Sequence, residues 1–249
     1  MEGALLHTRS LTKRFGANTA VSAVDIAVRA GTLHAVIGPN GAGKTTLFNM
    51  LSGQTRPTAG AIVFGERDIT RLDVAERSRI AIGRSFQRTN IFPKLSVFEN
   101  VRLAVQSRTR RSFAVWERVP ALTAVNARAT DVLGEAGLLP HRAKAARELA
   151  GGDQRLLELA ITLATDPVLL LLDEPSQGLS PADAQRLVDR IRALAARYTI
   201  VLIEHNMPLV MNLSDEITVM HLGRVLARGT PAQIRANPDV RAAYLGKRG

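Results

Sequence analysis

Residues 38–46 read Gly38-Pro39-Asn40-Gly41-Ala42-Gly43-Lys44-Thr45-Thr46 and match the pattern G-x-x-x-x-G-K-[ST]. They follow a short apolar segment, Thr32 to Ile37, and their last three residues begin a segment with helical spacing, Lys44 to Ser52. In that context the glycines let backbone N–H groups point inward at phosphate oxygens, and the helix dipole adds positive charge. Lys44 would supply a cation for the β- and γ-phosphates, and the Thr45 hydroxyl is placed to hold Mg²⁺. An ordinary glycine turn is the alternative, and the strand–loop–helix order disfavours it.

A second group of functional side chains follows another apolar segment. The run Leu169-Leu170-Leu171-Leu172 leads directly to Asp173, Glu174 and Pro175. Ligands of parallel sheets lie at the carboxyl ends of the strands, so we expect both carboxylates beside the phosphate loop. Asp173 is predicted to help hold Mg²⁺, and Glu174 to orient and polarise the water that attacks a phosphoryl group. A polar strand end stopped by proline is the alternative, which the phosphate loop disfavours.

The composition allows a large buried core and excludes several chemistries. Of the 249 residues 46% are apolar, but no apolar run reaches the roughly 18 residues of a membrane-spanning helix. Met1 to Ser10 lacks the layout of a signal peptide, so we expect a cytosolic protein. The absence of cysteine excludes disulfides and cysteine zinc sites. We interpret the formal charge of +11 mainly as an arginine bias, with an anionic partner such as lipid headgroups as the alternative.

The order of strand-like and helix-like segments predicts an α/β fold with a mixed central sheet, an N-terminal antiparallel β lobe and a helical subdomain. Continuous apolar strands separated by helices indicate parallel strands covered on both faces. We predict Thr230 as the N-cap and Pro231 as the first residue of a late helix. The predicted strands are Leu5 to Leu11, Ala20 to Val28, Thr32 to Ile37, Val168 to Leu172, Thr199 to Ile203 and a hairpin within Glu216 to Leu226. The predicted helices are Lys44 to Ser52, Val97 to Val105, Ala127 to Ala136, Lys144 to Leu149 and Ala182 to Ala196.

A third motif, Leu149-Ala150-Gly151-Gly152-Asp153-Gln154, resembles the L-S-G-G-Q/E-Q signature of ABC ATPases. With the phosphate loop and Asp173-Glu174, the chain resembles this P-loop NTPase family over essentially its whole length. A glycine pair at a helix N-terminus makes a second anion site. The resemblance implies that Leu149 to Asp153 bind the γ-phosphate of an ATP held by a partner chain. It therefore implies ATP and Mg²⁺ as cofactors and a nucleotide-sandwich dimer as the active form.

The resemblance also assigns roles to residues outside these motifs. It implies that Phe15 stacks on adenine, that Gln87 contacts Mg²⁺ and the attacking water, and that His205 contacts the γ-phosphate. Ser176 to Pro181 resembles the D-loop, which lies across the dimer seam. The predicted catalytic residues are thus Lys44, Gln87, Glu174 and His205, the metal ligands Thr45, Gln87 and Asp173, and the nucleotide-binding residues Phe15, Gly38 to Thr46 and Leu149 to Asp153.

The resemblance implies one ABC domain over residues 1–249, divided into two parts. Residues 1–90 and 160–249 would form the core with its β lobe, and residues from about 91 to 159 a helical subdomain that swings as a rigid body. Gln87 would transmit that movement to a membrane permease docked near Ile91 to Val97.

Two departures from the family pattern bear on turnover. Ala150 replaces the signature serine and removes one hydroxyl donor, and Ser180 replaces the acidic D-loop residue. Both changes are expected to slow hydrolysis, and a regulatory module that binds ATP without cleaving it is an alternative. Lys44, Asp173, Glu174 and His205 are retained, so we predict an active Mg²⁺-dependent ATPase.

Finer features are similar to the first of the two ATP-binding subunits of branched-chain amino-acid importers. They are the segments Arg84 to Pro93, Gln106 to Val125, Ile203 to Met211 and Ala236 to Gly246. This resemblance implies a second, similar ATPase as partner, in a heterodimer rather than a homodimer. It also implies two transmembrane permeases, a periplasmic solute-binding protein, and peripheral attachment to the cytoplasmic face of the inner membrane.

The cargo and the protein class leave alternatives open. Relatives that import urea, amides or aromatic acids fit the same motifs. A nucleic-acid-associated ABC ATPase is the rival suggested by the charge of +11, but its usual second cassette, coiled-coil insertion and zinc cysteines are not present in this sequence, so we expect no nucleic acid. ATPases that export lipopolysaccharide belong to the same family and match these segments less well.

Overall fold

The computed structural model describes residues 3–85, 91–108 and 119–245. Its strands are β1 (Ala4–Phe15), β2 (Asn18–Val24), β3 (Ala27–Arg29), β4 (Leu33–Ile37), β5 (Ala59–Phe64), β6 (Arg67–Asp68), β7 (Ile82–Arg84), β8 (Leu169–Asp173), β9 (Thr199–Ile203), β10 (Glu216–His221) and β11 (Arg224–Gly229). Its α-helices are α1 (Lys44–Leu51), α2 (Val74–Arg79), α3 (Val97–Ser107), α4 (Val119–Ala136), α5 (Gly151–Leu163), α6 (Pro181–Ala195), α7 (Met207–Leu213), α8 (Pro231–Ala236) and α9 (Pro238–Leu245).

A six-stranded sheet in the order β11-β10-β4-β9-β8-β7 forms the centre of the molecule. Its strands pair in parallel except β11, which forms an antiparallel hairpin with β10, so the predicted mixed sheet is confirmed. Leu170 and Leu172 face a cluster formed with α3 to α6, whereas Leu169 and Leu171 face a cluster formed with α1 and the β lobe. Because alternate side chains of a strand point to opposite faces, this sheet is covered on both sides and its central strands read as unbroken apolar runs. Val168, expected within that buried run, lies just before β8 and is 50% exposed.

The N-terminal β lobe is a second, antiparallel sheet in the order β2-β1-β5-β6, with β3 paired to β1. The prediction of one strand from Ala20 to Val28 is wrong, because the chain is interrupted between β2 and β3. The buried Thr8 hydroxyl donates to the Val24 carbonyl at 2.8 Å and accepts from the Ile26 N–H at 3.0 Å. The hydroxyl thus bridges the interruption between β2 and β3, where the Thr8 N–H also donates to the Ile26 carbonyl at 2.9 Å.

The helical region contains one further correction. Lys144 to Leu149 does not form an α-helix, and only Ala146–Glu148 makes a single 3-10 turn. The backbone before that turn is used in pairing, because Ala145 forms an isolated antiparallel bridge with Ser96, at the N-cap of α3. The Val97 N–H donates to the Lys144 carbonyl at 2.9 Å. An extended segment that ties the start of α3 cannot also be helical.

Helices α3, α4 and α5 share one apolar cluster with α6 and with side chains of β8 and β9. Helix α5 runs across residue 159, where the sequence placed the end of the helical subdomain. The division into a core and a helical subdomain stays a prediction. Thr230 accepts from the Gln233 N–H and begins α8 with Pro231 as its first residue, as predicted.

A buried arginine closes the C-terminal end of α1. Arg77 is 1% exposed and donates to the carbonyls of Met50 at 2.6 Å and Leu51 at 2.5 Å, and also to those of Ile69 and Leu72. Burial lowers the pKa of this guanidinium to about 10. A cation at the negative end of a helix is favourable, and its donors satisfy carbonyls that the helix leaves without partners. Arg77 therefore fixes the end of the helix that begins with Lys44.

Candidate active site

The phosphate loop connects β4 to α1 and is held close to neighbouring backbone. A Cβ atom on Gly38 would lie 2.2 Å from the Met220 carbonyl oxygen, and one on Gly43 would lie 2.4 Å from the Ala20 carbonyl oxygen. Both residues have positive φ angles, 154° and 96°. Glycine is therefore required at both positions by conformation and by space.

Lys44 is folded over the loop that carries it. Its Nζ donates to the Gly38 carbonyl at 2.7 Å and to the Pro39 carbonyl at 3.1 Å, and the residue is 7% exposed. Burial lowers the pKa of this ammonium group, and the negative charges of Glu174 and Asp173 oppose that shift. The structure thus places the cation of the loop within electrostatic reach of both predicted carboxylates.

A polar cleft of about 580 Å³ opens over the loop. It is lined by Asn18, Thr19, Ala20, Asn40, Gly41, Ala42, Gly43, Lys44, Thr45, Thr46, Glu174, Leu222 and Gly223. The structure therefore brings most of the predicted phosphate loop and Glu174 to one cavity. Phe15 is not among the lining residues, but it is 54% exposed. As the last residue of β1 it pairs with Asn18 of β2, which does line the cleft. Its ring is free of the core and close to the rim.

The two carboxylates differ in their surroundings. Asp173 is the last residue of β8 and is 6% exposed, and its backbone N–H donates to the Ser85 hydroxyl at 3.3 Å. Glu174 follows with φ of 44°, a left-handed conformation that is uncommon for a residue with a side chain. Its N–H donates to the Ile203 carbonyl at 2.8 Å, which holds the turn. This turn directs Glu174 into the cleft.

The predicted metal ligands supply the oxygen atoms that Mg²⁺ prefers. Thr45 lines the cleft with a hydroxyl group, and Asp173 offers a carboxylate at the end of the adjacent buried strand. These residues fit a magnesium ion. Gln87, the third predicted ligand, lies outside the described residues.

His205 lies close to two glutamates, Glu174 and Glu204. Its Nδ1 is 3.9 Å from Glu174 Oε1 and 3.9 Å from Glu204 Oε2. The imidazole is 56% exposed, whereas the Glu204 side chain is fully buried. Glu204 accepts from the Ser176 N–H at 3.1 Å and the Ser176 hydroxyl at 2.5 Å with one oxygen, and from the N–H groups of His205 at 3.1 Å and Asn206 at 3.4 Å with the other. One carboxylate thus anchors both the segment after Glu174 and the segment that carries His205.

The signature residues lie at the N-terminus of α5 and are not among the residues that line the cleft. Ala150 is the N-cap and makes no side-chain capping bond, as its replacement of serine implies. Ala150 and Gly151 are exposed, while Leu149, Gly152 and Asp153 are buried. A Cβ atom on Gly151 would meet nothing within 4 Å. The chain therefore carries two separate candidate anion sites, at the N-termini of α1 and α5.

The family model for ABC transporters matches residues 21–177, which is more than half of the chain. The chain belongs to the ABC transporter ATP-binding family. A model described as the branched-chain amino acid ATP-binding cassette transporter also matches the C-terminal residues 224–249 of this ABC protein.

Relatives of this ABC protein are similar over their whole length. The chain is 41% identical to the high-affinity branched-chain amino acid transport ATP-binding protein LivG of Salmonella typhimurium, covering 99% of this chain and 100% of LivG. It is 39% identical to the corresponding protein BraF of Pseudomonas aeruginosa, covering 99% and 100%. A solved structure described as the ADP conformation of an ATP-binding cassette of an ABC transporter superposes with a TM-score of 0.84 and 28% identity, covering 98% of this chain and 99% of that one. The predicted ABC ATPase fold is thus confirmed.

In the described parts of this ABC protein, none of the helices combines the length and apolar character that crossing a bilayer needs.

Sequence reasoning missed Arg84 and Glu204, which position the site of this ABC protein. Arg84 donates to Ser52 Oγ at 2.8 Å, Gln54 Oε1 at 2.5 Å and Asn49 Oδ1 at 3.2 Å, so it ties the end of α1 to β7. Burial lowers its pKa, and the charge of Asp173 opposes that shift. The signal for Glu204 was present, because a carboxylate directly after a buried strand requires several hydrogen-bond donors.

Proposed function

We propose that this chain is the Mg²⁺-dependent, ATP-hydrolysing subunit that powers an importer of branched-chain amino acids. The observation that carries the proposal is the cleft, where the phosphate loop, Lys44, Thr45 and Glu174 meet. The full-length similarity to LivG and BraF and the match of the C-terminal residues 224–249 support the cargo class.

The chain's own residues divide the work of phosphoryl transfer. Lys44 Nζ, now on the carbonyls of Gly38 and Pro39, turns to the β- and γ-phosphates, and the N–H groups of the loop bind their oxygens. Thr45 and Asp173 would hold Mg²⁺, which would supply positive charge to neutralise the phosphates. Glu174 orients the attacking water and accepts its proton. His205, 3.9 Å from Glu174, donates to the γ-phosphate.

The exposed glycine at the start of α5 supports an active dimer. Gly151 and Ala150 present a helix N-terminus that lies outside the chain's own cleft. In the proposed dimer this helix N-terminus binds the γ-phosphate of the ATP held by the partner's phosphate loop. Phe15 stacks on the adenine held by its own chain. The partner is a second, similar ATPase, and the pair attaches to two permeases at the cytoplasmic face of the inner membrane, with a periplasmic binding protein completing the system.

Radiolabelled leucine uptake tests this proposal. Cells that lack the chain are complemented with the wild type, with Lys44→Ala, or with Lys144→Ala, a control that removes an exposed lysine. We expect the wild type and Lys144→Ala to restore ATP-dependent uptake of leucine, isoleucine and valine, and Lys44→Ala to restore none. Restoration of urea or aromatic-acid uptake in place of leucine uptake would refute the cargo class. Full uptake with Lys44→Ala would refute the role of the cleft.

A further inference from the structure

The N-termini of α5 and α6 are so close that only glycine fits at position 152. Gly152, in the first turn of α5, lies against Asp183 in the first turn of α6. A Cβ atom on Gly152 would be 2.5 Å from Asp183 Oδ1 and 2.8 Å from Asp183 Cβ. The signature motif and the segment that ends at Ser180 are therefore in direct contact within one chain.

Polar contacts continue from this point through four residues. Asp153 Oδ1 pairs with Arg186 Nη2 at 2.5 Å, and the Asp153 side chain is 12% exposed. Arg186 Nη1 is 3.3 Å from Asp183 Oδ1, and the Ser180 hydroxyl donates to Asp183 Oδ2 at 2.7 Å. We name Asp153, Ser180, Asp183 and Arg186 the α5–α6 brace. His141 Nε2 lies 3.4 Å from Asp153 Oδ2, at the edge of the brace.

Two departures of the sequence from its family pattern meet in the brace. Asp153 stands where the signature has Gln or Glu, and Ser180 stands where the D-loop has an acidic residue. The shorter Asp153 side chain turns into the chain and pairs with Arg186, and Ser180 caps α6 by accepting from the Asp183 N–H. The two changes thus belong to one set of contacts between the two segments.

The charges of the brace affect what the adjacent helix N-terminus can bind. Asp153 and Asp183 place two carboxylates in the first turns of α5 and α6, with Asp183 against Gly152, where they would repel a phosphate group at the N-terminus of α5. Arg186 pairs with both of them and offsets that repulsion. Because the Arg186 side chain is 54% exposed, the pair adds little to the free energy of unfolding. Its effect falls on position and charge at the signature.

We propose that Arg186 is a positioning residue for ATP hydrolysis. Through Asp153 and Asp183 it holds the signature residues at the start of α5 in fixed register with residues 176–180, so that both segments reach the partner's nucleotide together. The inference rests on the proposed function, and it assigns a role to a side chain that touches neither the cleft nor the phosphate loop.

Phosphate release by the assembled complex tests the proposal, with Arg192→Gln as the matched control. Arg192 lies on the same helix and makes an exposed ion pair with Asp189 at 3.6 Å. We expect Arg186→Gln to lower kcat about tenfold and Arg192→Gln to stay within about twofold of the wild type. The Kd for a fluorescent ATP analogue on the chain's own cradle and the melting temperature should not change. Arg186→Lys should recover part of kcat.

The double variant Asp153→Asn with Arg186→Gln tests whether Asp153 and Arg186 act through each other or independently. If the residues act through each other, the double variant loses no more activity than Arg186→Gln alone. The proposal would be overturned if Arg186→Gln kept the wild-type kcat, or if the loss of kcat in the double variant were the product of the losses in the two single variants. It would also be overturned if the loss followed from weaker ATP binding or from unfolding. A wild-type complex that hydrolyses no ATP would instead overturn the proposed function.

Discussion

Replacing Glu204 by glutamine should break the link between the two segments that this carboxylate anchors. Glu204 is 0% exposed and accepts four hydrogen bonds, two from Ser176 and one each from the backbone of His205 and Asn206. Glutamine keeps one oxygen and turns its amide NH₂ toward the other two donors. It therefore preserves the shape of the side chain and removes half of its acceptor capacity.

The magnitude follows from the two lost bonds. Hydrogen bonds to a charged group contribute about 1.5–3 kcal/mol each, and leaving a buried donor unsatisfied adds to the loss. Removal of a buried charge offsets part of this, because the folded chain no longer desolvates a carboxylate. We expect the free energy of unfolding to fall by about 2–4 kcal/mol. We also expect a drop in kcat of about tenfold or more, because Ser176 and His205 lose their common anchor.

Urea unfolding and phosphate release measure the two effects, with Glu66→Gln as control. Glu66 lies exposed in the turn between β5 and β6, so the same chemical change occurs there without burial. A loss of about 3 kcal/mol corresponds to a shift of the urea midpoint by about 1 M. A Glu204→Gln chain that unfolds at the same midpoint as Glu66→Gln and keeps its kcat would refute the reasoning.

Three further predictions concern other parts of the chain. Glu174→Gln should lower hydrolysis by about 100-fold or more and trap a closed, ATP-filled dimer, whereas normal phosphate release would show that Glu174 is not the base. Burial lowers the pKa of His34, in β4, from 6.5 to about 4. The unfolded chain therefore protonates this imidazole at a higher pH than the folded chain does, and the free energy of unfolding should fall by up to about 3 kcal/mol as the pH drops from 6.5 to 4. His34→Gln should flatten that part of the unfolding curve, and an unchanged slope would contradict it. Arg77→Met should cost about 3–5 kcal/mol in urea unfolding, because four carbonyls lose a buried donor, and a loss below about 1 kcal/mol would contradict the assigned contacts.

The sequence was sufficient for the parallel strands and the phosphate loop, because local signals determine them. Thr199 to Ile203 forms β9 with the predicted bounds, since an apolar run between turns has few other ways to be buried. Gly38 and Gly43 mark a loop whose backbone no other residue type could follow. Motif spacing thus predicted that Asn40 to Thr46 and Glu174 meet in the cleft, but it did not predict the lining residues Asn18 to Ala20, Leu222 and Gly223.

Long-range contacts account for what the sequence did not reveal. The break between β2 and β3 depends on the Thr8 hydroxyl from another strand, and Lys144 to Leu149 is kept from a helix by pairing with Ser96 and Leu95. Arg186 reads locally as a solvated helix residue, and only the approach of α5 brings Asp153 to it. Periodicity and propensity contain no information on such partners.

Gly151→Trp in the assembled complex tests the shared nucleotide site most directly. A Cβ atom at Gly151 would meet nothing within 4 Å in its own chain, whereas one at Gly152 would lie 2.5 Å from Asp183 Oδ1. Because Gly151 is also exposed, we expect the variant to fold with the melting temperature of the wild type, so that a loss of turnover arises outside this subunit. We predict unchanged binding of a fluorescent ATP analogue to the variant's own cradle and a fall in phosphate release of about 100-fold at the site shared with its signature. Phosphate release at the wild-type rate would contradict the account, because ATP would then be hydrolysed within a single chain.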